Sequence, residues 1–182
     1  MKQRLLFLGP PGAGKGTQAQ RLAASHGLLH LSTGDLLRAE VQAGTPLGQE
    51  AEAVMARGEL VSDALVLAIV RGRLENHQGG WLLDGFPRNL AQAEALDALL
   101  GELNQGIELV VLMELDDAVL ISRLLSRGRD DDNEDVIRHR LGVYREQTAP
   151  LITHYRERGQ LASVEASGSV EEIGGRIEAL LV

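Results

Sequence analysis

No cysteine occurs anywhere in the 182-residue chain. That excludes disulfides and any zinc site built on thiolates, without by itself fixing the compartment. Long apolar runs are missing too: no stretch approaches the roughly 18 to 20 uninterrupted apolar residues of a spanning helix. Met1 leads directly into a buried-strand pattern, so an unexported, cytoplasmic protein with no membrane partner is expected. Basic residues are in deficit, 18 against 26 acidic, giving a formal charge of -8. Such a chain repels nucleic acid except where arginines gather, and any phosphate-bearing ligand must meet a local basic patch. The five histidines, His26, His30, His77, His139 and His154, are scattered without metal-ligand spacing. They are expected to be ordinary surface or core residues. Internal repeats and low-complexity linkers are likewise absent.

What is present is enough apolar residue, 44%, to bury a core in one globular unit. Apolar runs at residues 5–8, 28–31, 81–83, 109–115 and 161–164 lack polar alternation for the most part and read as buried parallel strands. Helical patterns lie between them, such as those at 17–24, 35–43, 64–76, 90–103, 119–126 and 134–158. Strand alternating with helix predicts an α/β sandwich around a parallel sheet. Residues 32–80 are too many for one crossover helix and contain the break Gly44-Thr45-Pro46, so a helical insertion is expected there. Residues 127–135 form a charged stretch between two helices and suit an exposed loop. Trp81 is expected in the core.

The first strand runs into Gly9-Pro10-Pro11-Gly12-Ala13-Gly14-Lys15-Gly16-Thr17 and then a helical pattern. A loop of this kind exposes successive backbone N–H groups, the helix N-terminus adds partial positive charge, and Lys15 supplies a point charge for β- and γ-phosphates. The general motif continues Gly-Lys-[Ser/Thr], whereas here Gly16 precedes Thr17, displacing the hydroxyl by one residue. Thr17 therefore has two roles open to it, direct contact with Mg2+ or contact with a phosphate and a metal-bound water. The strand at 81–83 ends in Asp84, a carboxylate at the carboxyl edge of the sheet, where open α/β folds bind ligands. Asp84 is the candidate for hydrated Mg2+; a turn or helix-cap aspartate is the alternative.

Three blocks, residues 9–17, Ser32-Thr33-Gly34-Asp35-Leu36-Leu37-Arg38 and Asp84-Gly85-Phe86-Pro87-Arg88, resemble those of the adenylate kinases, within the nucleoside monophosphate kinases, and the match spans nearly the whole chain. Asp131-Asp132-Asn133-Glu134, followed by Arg140, falls where that family places the end of its lid. The resemblance implies a P-loop three-layer sandwich on a five-stranded parallel sheet. Its core would be 1–31, 62–126 and 133–182, with a helical flap for the monophosphate at 32–61 and a short lid at 126–132. It further implies ATP contacts from Gly12, Ala13, Gly14, Lys15, Gly16, Thr17, Arg123, Arg127 and Gly168. AMP would meet Thr33, Arg38, Glu59, Leu60, Val61, Gly85, Phe86, Pro87, Arg88, Gln92, Arg129 and Arg140. Asp131 and Asp132 would orient the last two arginines. The activity implied is reversible transfer of the terminal phosphoryl group of ATP to AMP, giving two ADP and serving adenine nucleotide homeostasis, by a monomer using Mg2+ and no structural zinc.

Arginines suit this chemistry because guanidinium forks match phosphate oxygens bidentately; any one arginine read alone is more often a solvated surface residue, and the resemblance reverses that weighting for Arg38, Arg88, Arg123, Arg127, Arg129 and Arg140. Phosphoryl transfer asks a protein for positioning and charge neutralisation, not for a general base. Lys15, Arg88, Arg123, Arg129 and Arg140 are the candidates for transition-state charge, and Thr33 with Gln92 for the acceptor base. A UMP/CMP kinase is the nearest rival; such enzymes typically carry Ala at the position of Thr33 and Asn at that of Gln92. A GTP-binding switch would share only the cradle and lack the block at 84–88.

Overall fold

The computed structural model describes residues 1–57, 61–128 and 133–182. Five short apolar runs become β1 (Arg4–Leu8), β2 (Leu29–Ser32), β3 (Trp81–Asp84), β4 (Leu109–Glu114) and β5 (Leu161–Glu165). They form one sheet in the order β2-β3-β1-β4-β5, with every neighbouring pair parallel. The central strands β3, β1 and β4 read as continuous apolar runs because both faces are covered, whereas the edge strands β2 and β5 are only partly buried. Successive side chains point to opposite faces, so Leu6, Leu8, Leu83, Val110 and Leu112 enter one core layer. Leu5, Phe7, Leu82, Val111 and Met113 enter the other. Each such buried side chain contributes about 1.5 to 3 kcal/mol.

The helices are α1 (Lys15–His26), α2 (Thr33–Ala43), α3 (Pro46–Ala56), α4 (Asp63–Leu74), α5 (Leu90–Glu102), α6 (Asp117–Arg127), α7 (Glu134–Glu157) and α8 (Val170–Leu180). Helices α4 and α5 close the first layer and α1, α6 and α8 the second. The long α7 serves both, burying Ile137 and Leu141 in the second and Leu151 and Tyr155 in the first. Trp81 is fully buried and its indole Nε1 donates to Gln105 Oε1 at 3.0 Å, as a core residue should.

Two helices were not among the patterns read from the sequence. Helix α3 begins immediately after the Gly44-Thr45-Pro46 break, which is a boundary between helices: Gly44 closes α2 at φ 65, and Pro46 opens α3 where a missing N–H costs nothing. Helix α8 carries a legible start, Ser169 followed by Glu172, and the Ser169 hydroxyl accepts the Glu172 N–H at 3.1 Å. The expected loop at 127–135 is also shorter than its charge suggests. Arg127 ends α6, and Glu134 and Asp135 form the first turn of α7, capped by Asn133, because acidic residues are favoured at a helix N-terminus.

Helices α2 and α3 cross so closely that a Cβ on Gly48 would stand 1.9 Å from the Glu40 carbonyl oxygen. Gly48→Ala is therefore expected to force them apart and destabilise the protein by about 2 kcal/mol or more. Gly72→Ala, in α4 with open space around it, should instead stabilise by about 0.5 to 1 kcal/mol. Urea unfolding of both variants checks the contrast, and equal midpoints would remove the close crossing.

Candidate active site

The loop leaving β1 carries Gly12 at φ 87 and Gly14 at φ 85, the latter capping α1 at Lys15. Both need the left-handed backbone that glycine supplies, and at Gly12 a Cβ would also press within 3.1 Å of Leu124 Cγ. Ala13 turns its methyl into the core and closes the loop by donating its N–H to Pro10 O at 3.2 Å. Lys15, the first residue of α1, reaches across to β3, where its Nζ stands 3.4 Å from Asp84 Oδ1.

Strand β3 holds Asp84 in register with Phe7 on one side and Ser32 on the other, at the end of the sheet, with the residue only 7% exposed. On β2, His30 Nε2 lies 3.6 Å from Asp84 Oδ2 and has no hydrogen-bond partner of its own among the described residues. Burial, the largest influence, opposes charge on Asp84. The polar contact with His30 and the positive charge of Lys15 together outweigh it and hold the carboxyl below its usual 3.8. A histidine read as ordinary from the sequence is thus part of the site's electrostatics. The available signal was its place two residues before the end of a strand bordering β3.

After β3 the chain passes through Gly85 at φ 94 and a cis peptide bond between Phe86 and Pro87. Arg88 Nε donates to Gly85 O at 3.1 Å, and its terminal nitrogens have no partner among the described residues. Thr33 approaches from the start of α2 and donates to the Asp84 carbonyl at 3.5 Å. On α6, Arg123 Nη1 and Nη2 are anchored on Gly12 O and Ala166 O, each at 3.3 Å. Arg123 and Arg127 share one helix face, one turn apart.

These elements wall one cavity of about 820 Å³, lined by Gly12, Gly14, Lys15, Gly16 and Thr17, by Gly85, Pro87 and Arg88, and by Arg123, Arg127 and Arg140. Tyr144, Gln147 and Thr148 of α7 complete the wall, and nothing in their spacing had marked them. Ala13, Thr33, Arg38, Val61, Asp84, Phe86, Gln92 and Gly168 are not on it; Arg38 is exposed and paired with Asp35, and Ala13, Asp84 and Phe86 are buried. Glu59, Leu60, Arg129, Asp131 and Asp132 lie outside the described residues. A second cavity, about 790 Å³, adjoins the first beyond Pro10 and Thr148. Its lining carries the carboxylates of Glu114, Asp116 and Glu165, and its one arginine, Arg145, is paired to Asp117. Charge, more than size, distinguishes the two cavities.

Residues 7–160 match the family model for adenylate kinase. The chain belongs to the adenylate kinase family. A protein named adenylate kinase from Synechococcus sp. (strain RCC307) is 75% identical over 181 residues, covering all of both chains. Another of that name, from Prochlorococcus marinus (strain MIT 9303), is 74% identical over 178 residues, with 98% of each chain covered. A third, from Parasynechococcus marenigrum (strain WH8102), is 72% identical over 182 residues and again covers all of both chains.

In this family member the lowered pKa of Asp84 makes a pH prediction. A carboxyl whose folded pKa lies below its unfolded value contributes stability that is fully present above the unfolded value and is lost as pH falls through the folded one. Wild type should therefore exceed Asp84→Asn in stability by a constant margin above pH 3.8, and the margin should shrink only below it. Urea unfolding of both proteins across roughly pH 2.5 to 6, a range set around the ordinary carboxylate pKa, checks this. A margin that disappears above pH 3.8 contradicts it.

Proposed function

We propose that the basic cavity is where ATP and AMP meet in line, with Lys15, Arg88, Arg123, Arg129 and Arg140 carrying the charge of the phosphoryl group in flight. As an adenylate kinase, the chain transfers the terminal phosphoryl group of ATP to AMP. The observation that carries the assignment is the single wall holding Lys15, Arg88, Arg123, Arg127 and Arg140, in a chain whose formal charge is -8. A positive concentration of that kind is selected for a polyanion.

The donor phosphates would lie over the N–H groups of residues 12–17 at the N-terminus of α1, with Lys15 beside them. Asp84 would hold the Mg2+ that accompanies ATP, through water. Its carboxylate suits a hydrated cation, being kept ionised 3.4 Å from Lys15 of the cradle. That ion, when bound, supplies neutralisation of phosphate charge. The protein's own residues do the remainder. Arg88 presents a fork with no partner among the described residues, Arg123 is pre-positioned by two carbonyls, and neither must reorganise as charge redistributes. Residues 32–61 and 126–132 would act as flap and lid that exclude water, since water admitted to the cavity would hydrolyse ATP. Gly168 would contact the donor from the β5–α8 connection, and Arg38 the acceptor phosphate once it exchanges Asp35 for it. A cytoplasmic monomer is carried by family resemblance alone.

Acceptor choice is assigned to Thr33 and Gln92. Thr33→Ala combined with Gln92→Asn should lower kcat/KM for AMP relative to UMP and CMP by about 10- to 100-fold, since each unpaired polar group costs about 1 to 3 kcal/mol. KM for ATP should be unchanged. Steady-state kinetics on the three acceptors make the comparison; an unchanged preference would remove both residues from base recognition.

A further inference from the structure

The Gln92 side chain is gripped at both ends by groups that have no choice of role. Its Oε1 accepts the Arg88 backbone N–H at 2.6 Å, and its Nε2 donates to Asp63 Oδ1 at 2.8 Å. A backbone N–H only donates, and a carboxylate only accepts. Turning the amide over would set its NH2 against the N–H and its carbonyl oxygen against the carboxylate. Both contacts would become repulsive, so a single orientation is enforced. The grip is itself well founded. Asp63 is the first residue of α4, whose start is fixed by the Ser62 hydroxyl accepting Leu65 N–H at 3.2 Å. Gln92 lies in the first turn of α5, where its own N–H donates to the Asn89 cap at 2.9 Å.

Two hydrogen-bonding capacities remain on the amide, one N–H on Nε2 and one lone pair on Oε1, in a fixed order. They complement a base edge that offers an acceptor to the nitrogen and a donor to the oxygen. Adenine presents that edge with N1 and its exocyclic amino group. Hypoxanthine and guanine present the reverse, an N1–H donor beside a 6-oxo acceptor. A freely turning amide would read either edge, at the cost of a rotation.

We propose that Asp63 is a positioning residue that makes Gln92 an adenine reader and thereby excludes 6-oxopurine monophosphates as acceptors. This rests on the assignment of Gln92 to the acceptor base. Nothing in the sequence pattern relates positions 63 and 92; the packing of α4 against α5 brings them together.

The test is kcat/KM with AMP and with IMP, nucleotides of nearly equal size and equal phosphate charge, in wild type, Asp63→Ala, Asp63→Asn, Asp63→Glu and Gln92→Ala. The AMP-to-IMP ratio should fall about tenfold in Asp63→Ala, the equivalent of one hydrogen bond. It should fall less in Asp63→Asn, whose amide can donate as well as accept, and recover in Asp63→Glu. KM for ATP should stay constant throughout. A ratio that survives in both Asp63→Ala and Asp63→Asn overturns the proposal. Equal losses with both acceptors, accompanied by a lower melting temperature, also overturn it, by reducing Asp63 to a helix-start residue. The Asn variant keeps the shape of the helix start and carries the test if the Ala variant does not fold. Gln92→Ala separates the two levels. If it leaves AMP recognition and the ratio intact, the base-reading assignment itself fails; if it collapses the ratio while the Asp63 variants do not, only the present proposal fails.

Discussion

Lys15→Ala is expected to lower kcat by about 10³-fold, or roughly 4 kcal/mol of transition-state stabilisation, in a protein that still folds. Lys15 is the only side-chain cation among residues 9–17, and it sits at the helix terminus where backbone partial charges already favour phosphate. Removing it takes away a positioned charge that no other group on the loop replaces. The fold does not rest on this residue, because Lys15 is partly exposed and Asp84 retains the neighbouring His30. A coupled assay for ADP, with circular dichroism as the check on folding, gives the result. Turnover near that of wild type in a folded variant would remove Lys15 from the mechanism.

Arg88→Ala should reduce kcat/KM for AMP by about 10²-fold, roughly 2.7 kcal/mol. Arg88 Nε is engaged by Gly85 O, which leaves a planar pair of terminal nitrogens aimed from a fixed stem. Arg88→Lys should recover only a small part of the loss, since it restores a charge without the fork. Full recovery by lysine would mean that charge alone is used there. Arg38 makes a useful contrast. It is exposed and already paired with Asp35, and breaking that pair offsets part of what a phosphate contact returns, so its loss should cost less than that of Arg88.

Much of the fold is legible in the sequence. The three central strands could be read because parallel strands buried on both faces leave uninterrupted apolar runs, as at Leu82 and Val111; β2 and β5, at the edges, carry His30 and Ser163 in runs that are only mostly apolar. The glycine loop could be read because Gly12 and Gly14 stand at a set spacing between a strand and a helix, whereas the arginines on α6 are marked only by the family resemblance. What escaped was set by contacts across the fold. His30 joins the site only through the pairing of β2 with β3, and Asp63 through the packing of α4 on α5. Tyr144, Gln147 and Thr148 reach the cavity because α7 passes over the carboxyl end of the sheet, which no local spacing reveals. Helix α3 lies within the helical insertion expected at 32–80, but its own bounds are not legible there, since Pro46–Ala56 offers no separate helical pattern beyond the Gly44-Thr45-Pro46 boundary. Helix α8 is a different case, since its start is marked in the sequence by Ser169 and Glu172.

The most direct test of the whole account is multiple-turnover formation of ADP from ATP with AMP, UMP, CMP or no acceptor, measured at matched concentrations with Mg2+. Sustained production of two ADP per AMP consumed, with AMP the best acceptor and little release of phosphate in its absence, is the predicted result. UMP or CMP serving as well as AMP, or ATP hydrolysis that proceeds without any acceptor, would contradict it.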